Sequence, residues 1–147
     1  LERYAPILHM NENLLILTVG IPRSGKSTWA RQQNMPIVNP DSIRLALHGQ
    51  RFQALAEPLV WSIATIMVRA LFLSGHTKVI VDATHTTKNR REFWKDKQWR
   101  SVFKVFDTQK EECLRRAEGD IDIIPVIKRM SAEYEPLTTE EGEQYAP

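Results

Sequence analysis

The chain has 147 residues, of which 42% are hydrophobic and 26% charged, and this indicates one globular domain with a sizeable core. Its formal charge of +2 does not indicate nucleic-acid binding unless basic residues cluster locally. We expect no membrane span, because the longest apolar candidate, residues 59–73, is interrupted by polar side chains.

The first ten residues show no periodic pattern, and we expect residues 1–10 to be a non-native or disordered extension with the natural start at Met10. A single domain is expected over residues 14–142. The lone cysteine, Cys113, excludes an internal disulfide and favours a reducing, cytoplasmic compartment.

Four short apolar runs predict β-strands at 14–19, 36–38, 79–82 and 102–106. The segments between them predict helices, the main ones at 54–73, 86–99, 108–117 and 125–135. Alternation of strands and helices predicts an α/β fold, with about four parallel strands flanked by helices on both faces. The acidic tail at 138–147 is expected to lie on the surface.

Between the first strand and the first helix lies GIPRSGKST, which fits the phosphate-binding pattern G-x-x-x-x-G-K-[ST]. Its glycines let the backbone approach a phosphate closely, and its N–H groups then face that phosphate. Lys26 is expected to reach the β- and γ-phosphates, and the Ser27 hydroxyl to ligate Mg²⁺. We therefore predict a nucleoside triphosphate bound by Gly20, Ile21, Pro22, Arg23, Ser24, Gly25, Lys26, Ser27 and Thr28.

Asp41 and Arg44 follow the second predicted strand, three positions apart. Ligands of open parallel sheets bind beyond the carboxyl ends of the strands, so Asp41 is placed to accept a proton from an attacking hydroxyl. Arg44 shares its helix face and is placed to hold a phosphate of the acceptor. The alternative is structural, with Asp41 capping the helix and Arg44 on the surface.

Asp82 closes the third apolar strand, and His85 follows three residues later. A carboxylate at such a strand end needs a partner, and it can orient Mg²⁺ through water or position the acceptor. His85 either touches the substrate or makes structural hydrogen bonds.

Residues 88–100 combine six basic side chains with Phe93, Trp94 and Trp99. Such a segment can bind single-stranded nucleic acid by charge and stacking. It can equally be a solvated helix whose aromatic residues pack on the sheet.

Arg115 and Arg116 precede an acidic loop at 118–122. From a lid, an arginine can stabilise the transferring phosphoryl group. Alternatively, each arginine forms a salt bridge with the glutamate four residues earlier.

Together these segments resemble the polynucleotide kinase-like P-loop kinases. The matching stretches are GIPRSGKSTWA, NPDSIRLALHG, VIVDATHTTKNRREFW, ECLRR, IPVIKRM and EYEPLTTEEG. The resemblance implies a P-loop NTPase three-layer sandwich with a small C-terminal lid. It also implies ATP- and Mg²⁺-dependent transfer of the γ-phosphate to a hydroxyl, commonly the 5′-hydroxyl of DNA or RNA. The catalytic residues would be Lys26, Asp41 (the general base), Arg44, Asp82 and Arg116.

Two departures from the family pattern keep other functions open. The lid is acidic where the family usually carries a second arginine, and His85 stands where asparagine is common. The alternatives are a kinase for a metabolite, nucleoside or antibiotic, and a nucleotide-binding switch. A homo-oligomer and a phage-encoded protein acting in a host cytoplasm are both compatible with the sequence.

Overall fold

The computed structural model describes residues 12–49 and 52–146, so the expectations for residues 1–10 lie outside the described residues. In chain order its elements are β1 (Leu14–Val19), α1 (Lys26–Arg31), β2 (Ile37–Val38), α2 (Pro40–His48), a 3₁₀ turn (Ala54–Ala56), α3 (Glu57–Leu73), β3 (Lys78–Val81), α4 (Lys88–Glu92), β4 (Arg100–Val105), α5 (Lys110–Arg116) and α6 (Ile123–Glu133).

The four strands form one parallel sheet in the order β2-β3-β1-β4. β1 lies inside the sheet because its side chains are apolar on both faces. Leu15, Leu17 and Val19 belong to the core on one face, whereas Ile16 belongs to the core on the other. This architecture confirms the predicted α/β class with about four parallel strands.

Helices cover both faces of the sheet. On one face α2 and α3 contribute Ile43, Val60, Ala64 and Val68 to the larger core. On the other face, Ala30 of α1 packs in a smaller cluster. The resulting helix–sheet–helix layering is the predicted three-layer sandwich.

A third cluster joins the phosphate loop to the last two helices. Ile21 of the loop packs with Cys113 and Ala117 at α5 and with Ile127 of α6. Cys113 is thus a buried core residue, and burial raises the pKa of its thiol. These contacts fix the position of the loop between α5 and α6 relative to the nucleotide site.

The polar side chains of α3 do not make it too polar to cross a bilayer, contrary to the argument from the sequence. The segment Ala54–Leu73 is long and apolar enough to cross a bilayer, with a mean hydropathy of 1.5 over 18 residues. Core helices of soluble proteins meet the same criterion, and α3 buries Val60, Ala64, Val68 and Phe72 in the core. The expectation of no membrane span remains a prediction.

The helix predicted at 86–99 is wrong beyond Glu92, because the aromatic side chains turn the chain back toward the sheet. Trp94 donates its indole N–H to His85 Nε2 at 3.1 Å, and its own carbonyl accepts the Trp99 indole N–H at 2.7 Å. Asp96 then accepts the backbone N–H of Gln98 at 2.8 Å, closing a turn. The basic residues at 88–100 therefore do not share one helix face.

The acidic tail lies only partly on the surface. Glu141 pairs with Arg91 at 2.7 Å, and the two side chains are 4% and 1% exposed. Burial by itself would raise the pKa of Glu141, but hydrogen bonds from Arg91 and Thr138 lower it to about 2. The tail also hydrogen-bonds β4, since Phe103 N–H donates to Glu143 O and Tyr145 N–H donates to Phe103 O. Tail and α4 are thus joined by a buried ion pair.

Candidate active site

The phosphate loop connects β1 to α1 at the carboxyl edge of the sheet. A Cβ on Gly20 would lie 2.7 Å from Ser24 Oγ and 3.0 Å from the Phe106 carbonyl, so only glycine fits there. Gly25 has a φ of 104°, which is strained for any other residue, and it stands at the N-terminus of α1. The loop therefore has the backbone form that presents N–H groups to an anion.

Lys26 is folded back onto the loop. Its side chain is buried, and Nζ donates to the Ile21 carbonyl at 2.8 Å. Burial lowers the pKa of Lys26 to about 8, although the nearby charges of Asp82 and Asp41 act to raise it. A triphosphate in the loop would place anionic oxygens next to this ammonium.

Ser27 and Asp82 form a direct pair at the carboxyl ends of β1 and β3. Ser27 Oγ donates to Asp82 Oδ2 at 2.7 Å. A hydroxyl next to a carboxylate fits Mg²⁺, which takes oxygen ligands and usually keeps several waters. Within residues 12–49 and 52–146 no cluster of three His, Cys, Asp or Glu side chains suits a metal, so Mg²⁺ here would depend on Ser27, Asp82, water and phosphate oxygens.

Asn39, which the sequence interpretation did not single out, lies between Asp82 and Asp41. Its Oδ1 accepts the backbone N–H of Asp41 at 2.8 Å and that of Ser42 at 3.3 Å, and so caps α2. Its Nδ2 donates to Asp82 Oδ2 at 3.3 Å. The capping role that was the structural alternative for Asp41 therefore belongs to Asn39. An asparagine directly before a proline at the first helical position is a sequence signal for such a cap.

Asp41 and Arg44 contact each other as their spacing predicted. Arg44 Nη1 donates to Asp41 Oδ1 at 2.6 Å, and the Asp41 side chain is 71% exposed. The other edge of the guanidinium binds Glu57 of α3, with Nε to Oε2 at 2.9 Å and Nη2 to Oε1 at 2.7 Å. These hydrogen bonds lower the pKa of Glu57. No sequence pattern links Glu57 to Arg44, because α3 brings it there from 13 positions away.

The loop between α5 and α6 contacts the phosphate loop through its charged groups. Arg116 Nη1 donates to the Arg23 carbonyl at 3.0 Å, and Arg23 Nη2 donates to Asp120 Oδ2 at 2.9 Å. Arg116 also pairs with Glu112 at 3.3 Å, as the salt-bridge alternative predicted. Arg115 pairs with Glu112 rather than with Glu111. Arg116 is thus the arginine of α5 that lies against the nucleotide loop.

His85 is fully buried and acts as a neutral hydrogen-bond bridge. Since Nε2 accepts from Trp94, the ring hydrogen is on Nδ1, which donates to the Thr18 carbonyl at 2.6 Å. Burial lowers the pKa of His85 to about 4, so the ring is uncharged at neutral pH. These contacts match the structural alternative rather than substrate contact.

A cavity of about 690 Å³ opens in front of the phosphate loop. Six of the nine predicted nucleotide contacts line it, and Gly20, Ile21 and Pro22 do not. The other lining residues are Arg116, which was predicted as a lid arginine, and Trp29, Gln32 and Phe106, which the sequence interpretation did not name. Trp29 lies one position past the loop pattern, and Phe106 one past β4.

The strand–loop–helix cradle and the parallel sheet define a P-loop kinase fold. The AAA_33 family model, described as an AAA domain, matches residues 15–119. The chain belongs to this family of P-loop kinases, which confirms the family predicted from the sequence.

Solved structures support the same fold. A chain of the Pnkp1/Rnl/Hen1 complex is 32% identical, with a TM-score of 0.61, over 72% of this chain and 39% of that one. This chain thus spans about two fifths of that protein. Shikimate kinase from Acinetobacter baumannii, solved with shikimate, is 16% identical with a TM-score of 0.57, over 97% and 87% of the two chains. APS kinase from Mycobacterium tuberculosis, solved with AMPPNP and APS, is 16% identical with a TM-score of 0.55, over 93% and 84%.

Proposed function

We propose that this protein transfers the γ-phosphate of ATP to the 5′-hydroxyl of DNA or RNA, with Asp41 as the general base. The observation that carries the proposal is the pairing of the exposed Asp41 with the largely covered Arg44. This pair is linked through Asn39 to the Ser27–Asp82 pair beside the phosphate loop. In this proposal, the proton acceptor and the cation that binds the acceptor's phosphate are neighbours, and both lie near the nucleotide site.

Each of these residues has a distinct task in the proposed reaction. Lys26 binds the β- and γ-phosphates, and Ser27 holds Mg²⁺, which neutralises charge between those phosphates. Asp41 accepts the proton of the attacking hydroxyl, and Arg44 binds the phosphate on the 3′ side of the acceptor nucleotide. Asp82 orients the Mg²⁺ shell and the acceptor, while Arg116 stabilises the charge of the transferring group from the lid.

The choice of nucleic acid as the acceptor is supported by the relative in the Pnkp1/Rnl/Hen1 complex, at 32% identity over 72% of this chain. It is also supported by the Asp41–Arg44 pairing, which suits an acceptor that carries its own phosphate. The overall family resemblance supports a kinase, and the acceptor is our proposal.

A kinase for a small molecule is the second candidate, and the acidic lid favours it. Asp120 places a carboxylate near the phosphate loop, where it pairs with Arg23, and the chain carries a formal charge of only +2. Phosphate-backbone contacts make affinity fall steeply with salt. An acceptor KM that does not change between low and high salt would therefore favour the small molecule.

Label transfer from γ-labelled ATP to 5′-hydroxyl DNA and RNA oligomers tests the proposal. We expect labelled 5′ ends with the wild-type protein, and turnover about 10²–10⁴-fold lower with Asp41→Asn at unchanged nucleotide affinity. Ser42→Ala, at the neighbouring exposed position, is the matched control. Absence of transfer to both polymers while ATP binds would refute the nucleic-acid acceptor. Full turnover in Asp41→Asn would refute the general base and favour a nucleotide switch.

A further inference from the structure

Beside Arg44 lies a cluster of aromatic and cationic side chains from α3 and the α4 region, which we call the Trp61 patch and define as Trp61, Arg90 and Phe93. The guanidinium carbon of Arg90 lies 4.7 Å from the centroid of the Trp61 ring. The Phe93 ring meets Trp61 edge to face, at 5.8 Å between centroids. Arg44 lies over the same indole at 6.0 Å, so the patch adjoins the proposed acceptor pair.

Trp61 is a rigid support for the two other side chains. Its ring is only 9% exposed and meets Trp94 edge to face at 6.2 Å. Trp94 is in turn fixed by its hydrogen bond to His85 at 3.1 Å. The buried histidine therefore has a role in the position of the patch, although it does not reach the surface.

Arg90 keeps its charge available at the surface. It is exposed and, within the described ranges 12–49 and 52–146, no salt bridge neutralises it. Its charge lies near enough to Glu57 to contribute to the lowered pKa of that carboxyl, after the larger effect of Arg44. An arginine held on a ring by a cation–π contact, without a carboxylate partner, is suited to bind an anion.

Other basic residues of the same segment are arranged differently. Lys95 pairs with Glu92 at 3.1 Å, and Arg100 pairs with Glu143 at 3.3 Å. Both line a separate groove on the Glu141 side of the molecule. Arg90 is therefore distinguished from them by its place beside Arg44 and by its contact with an indole.

Phe93 supplies a partly exposed ring that contacts the same indole as Arg90. Its side chain is 46% exposed although two indoles support it. Exposed rings beside basic side chains bind single strands, because each base can stack and each phosphate can meet a cation.

We propose that the Trp61 patch binds the second nucleotide of a single-stranded acceptor, with its base stacked on Phe93 and its 3′ phosphate on Arg90. This inference rests on the proposed function, in which Arg44 binds the phosphate of the first nucleotide. It makes the preferred acceptor a strand of at least two nucleotides rather than a single nucleotide.

The test compares kcat/KM for a nucleoside 3′-monophosphate with that for a dinucleotide bearing a 3′-phosphate. For the wild type we expect the dinucleotide to be preferred about 5- to 150-fold, the range for stacking of one base. Arg90→Gln and Phe93→Ala should each reduce this ratio toward one, and Arg90→Gln should also reduce the salt dependence of the dinucleotide KM. Lys95→Gln, a basic residue of the same segment outside the patch, is the control and should keep the wild-type ratio.

Two conservative variants are tested in case Phe93→Ala or Arg90→Gln does not fold. Phe93→Leu retains the apolar packing, and Arg90→Lys retains the charge. We expect Phe93→Leu to lose most of the preference and Arg90→Lys to keep part of it. A wild type without preference for the dinucleotide, or variants that keep the full ratio, would overturn the patch and leave the 5′-kinase proposal standing.

If the wild type labels no nucleic acid, the proposed function is wrong, and the patch is then tested by a binding measurement. A fluorescent 5′-hydroxyl oligonucleotide would then be titrated in the presence of a non-hydrolysable ATP analogue. Weaker binding by Arg90→Gln than by Lys95→Gln would support the patch, and equal binding or no binding would overturn it.

Discussion

The nucleotide loop and the proposed acceptor side of this molecule are built in different ways. On the nucleotide side, Ser24 and Lys26 of one continuous loop are buried, and so is Asp82, which reaches the loop from the end of β3. On the proposed acceptor side, Asp41 is 71% exposed and pairs with Arg44 of the same helix, α2. Arg44 in turn pairs with Glu57 of α3. If Asp41 and Arg44 bind the acceptor as proposed, a few helix side chains determine the acceptor, independently of the loop that holds the nucleotide.

The largest effect is expected at the buried ion pair between Glu141 of the tail and Arg91 of α4. Glu141→Gln leaves the buried charge of Arg91 without its carboxylate, and removing one partner of a buried ion pair costs about 3–5 kcal/mol. Chemical denaturation should show this loss in the free energy of unfolding at pH 7. The exposed Glu140→Gln is the control, and a change below about 1 kcal/mol in Glu141→Gln would contradict the prediction.

The same pair predicts a dependence of stability on acid. The pKa of Glu141 is lowered to about 2 in the folded chain from 4.5. The stabilisation is thus complete above pH 4.5 and is lost as the pH falls toward 2. Glu141→Gln should lack this component, which unfolding curves at pH 3 and 5 would reveal.

On the donor side, Lys26→Met should lower turnover about 10²–10³-fold, the typical cost of removing a group that stabilises the charge of a transition state. Lys26→Arg keeps the charge and is the matched control, although the planar guanidinium differs in shape from the lysine ammonium. Initial rates at saturating ATP give the comparison. A Lys26→Met protein with the wild-type rate would show that the charge is not required.

The lowered pKa of Lys26 also predicts how nucleotide binding depends on pH. Burial lowers the pKa of Lys26 to about 8. Above pH 8 the free protein therefore loses the positive charge that binds the phosphate. Affinity for ATP should fall by up to about tenfold per pH unit above this value, and calorimetry between pH 7 and 9.5 would measure it. Lys26→Arg should flatten the profile, and a flat wild-type profile would exclude this linkage.

The smallest effect concerns Asn39, which joins the two sides. Asn39→Ala removes the cap of α2 and should cost about 1 kcal/mol in unfolding free energy. Asn39→Ser keeps a capping oxygen but loses the amide that donates to Asp82. If that amide positions the carboxylate, turnover should fall in both variants while stability falls mainly in Asn39→Ala. Equal turnover in Asn39→Ser and the wild type would limit Asn39 to capping.

The sequence predicted the donor side better because its signals are local. β1 was predicted at its observed bounds, since a buried parallel strand is a continuous apolar run, and the loop after it has a fixed pattern. The shared helix face of Asp41 and Arg44 was also predicted, because the two residues lie three positions apart on one helix.

The remaining features depend on contacts distant in sequence. Arg44 meets Glu57 only because α3 returns along α2, and Glu141 meets Arg91 only because the tail folds over α4. The helix predicted at 86–99 ended early because Trp94 bonds to His85 across the loop. Neither periodicity nor propensity carries information about such pairings.

The hydrogen bonds between the tail and β4 also bear on self-association. β4 is the last strand in its sheet order, and an unpaired strand edge is a template for pairing with another chain. Glu143 and Tyr145 occupy the backbone groups of Phe103 at that edge, while at the opposite edge β2 is only two residues long. The final residues of the chain thus shield the sheet against aggregation as well as bracing α4.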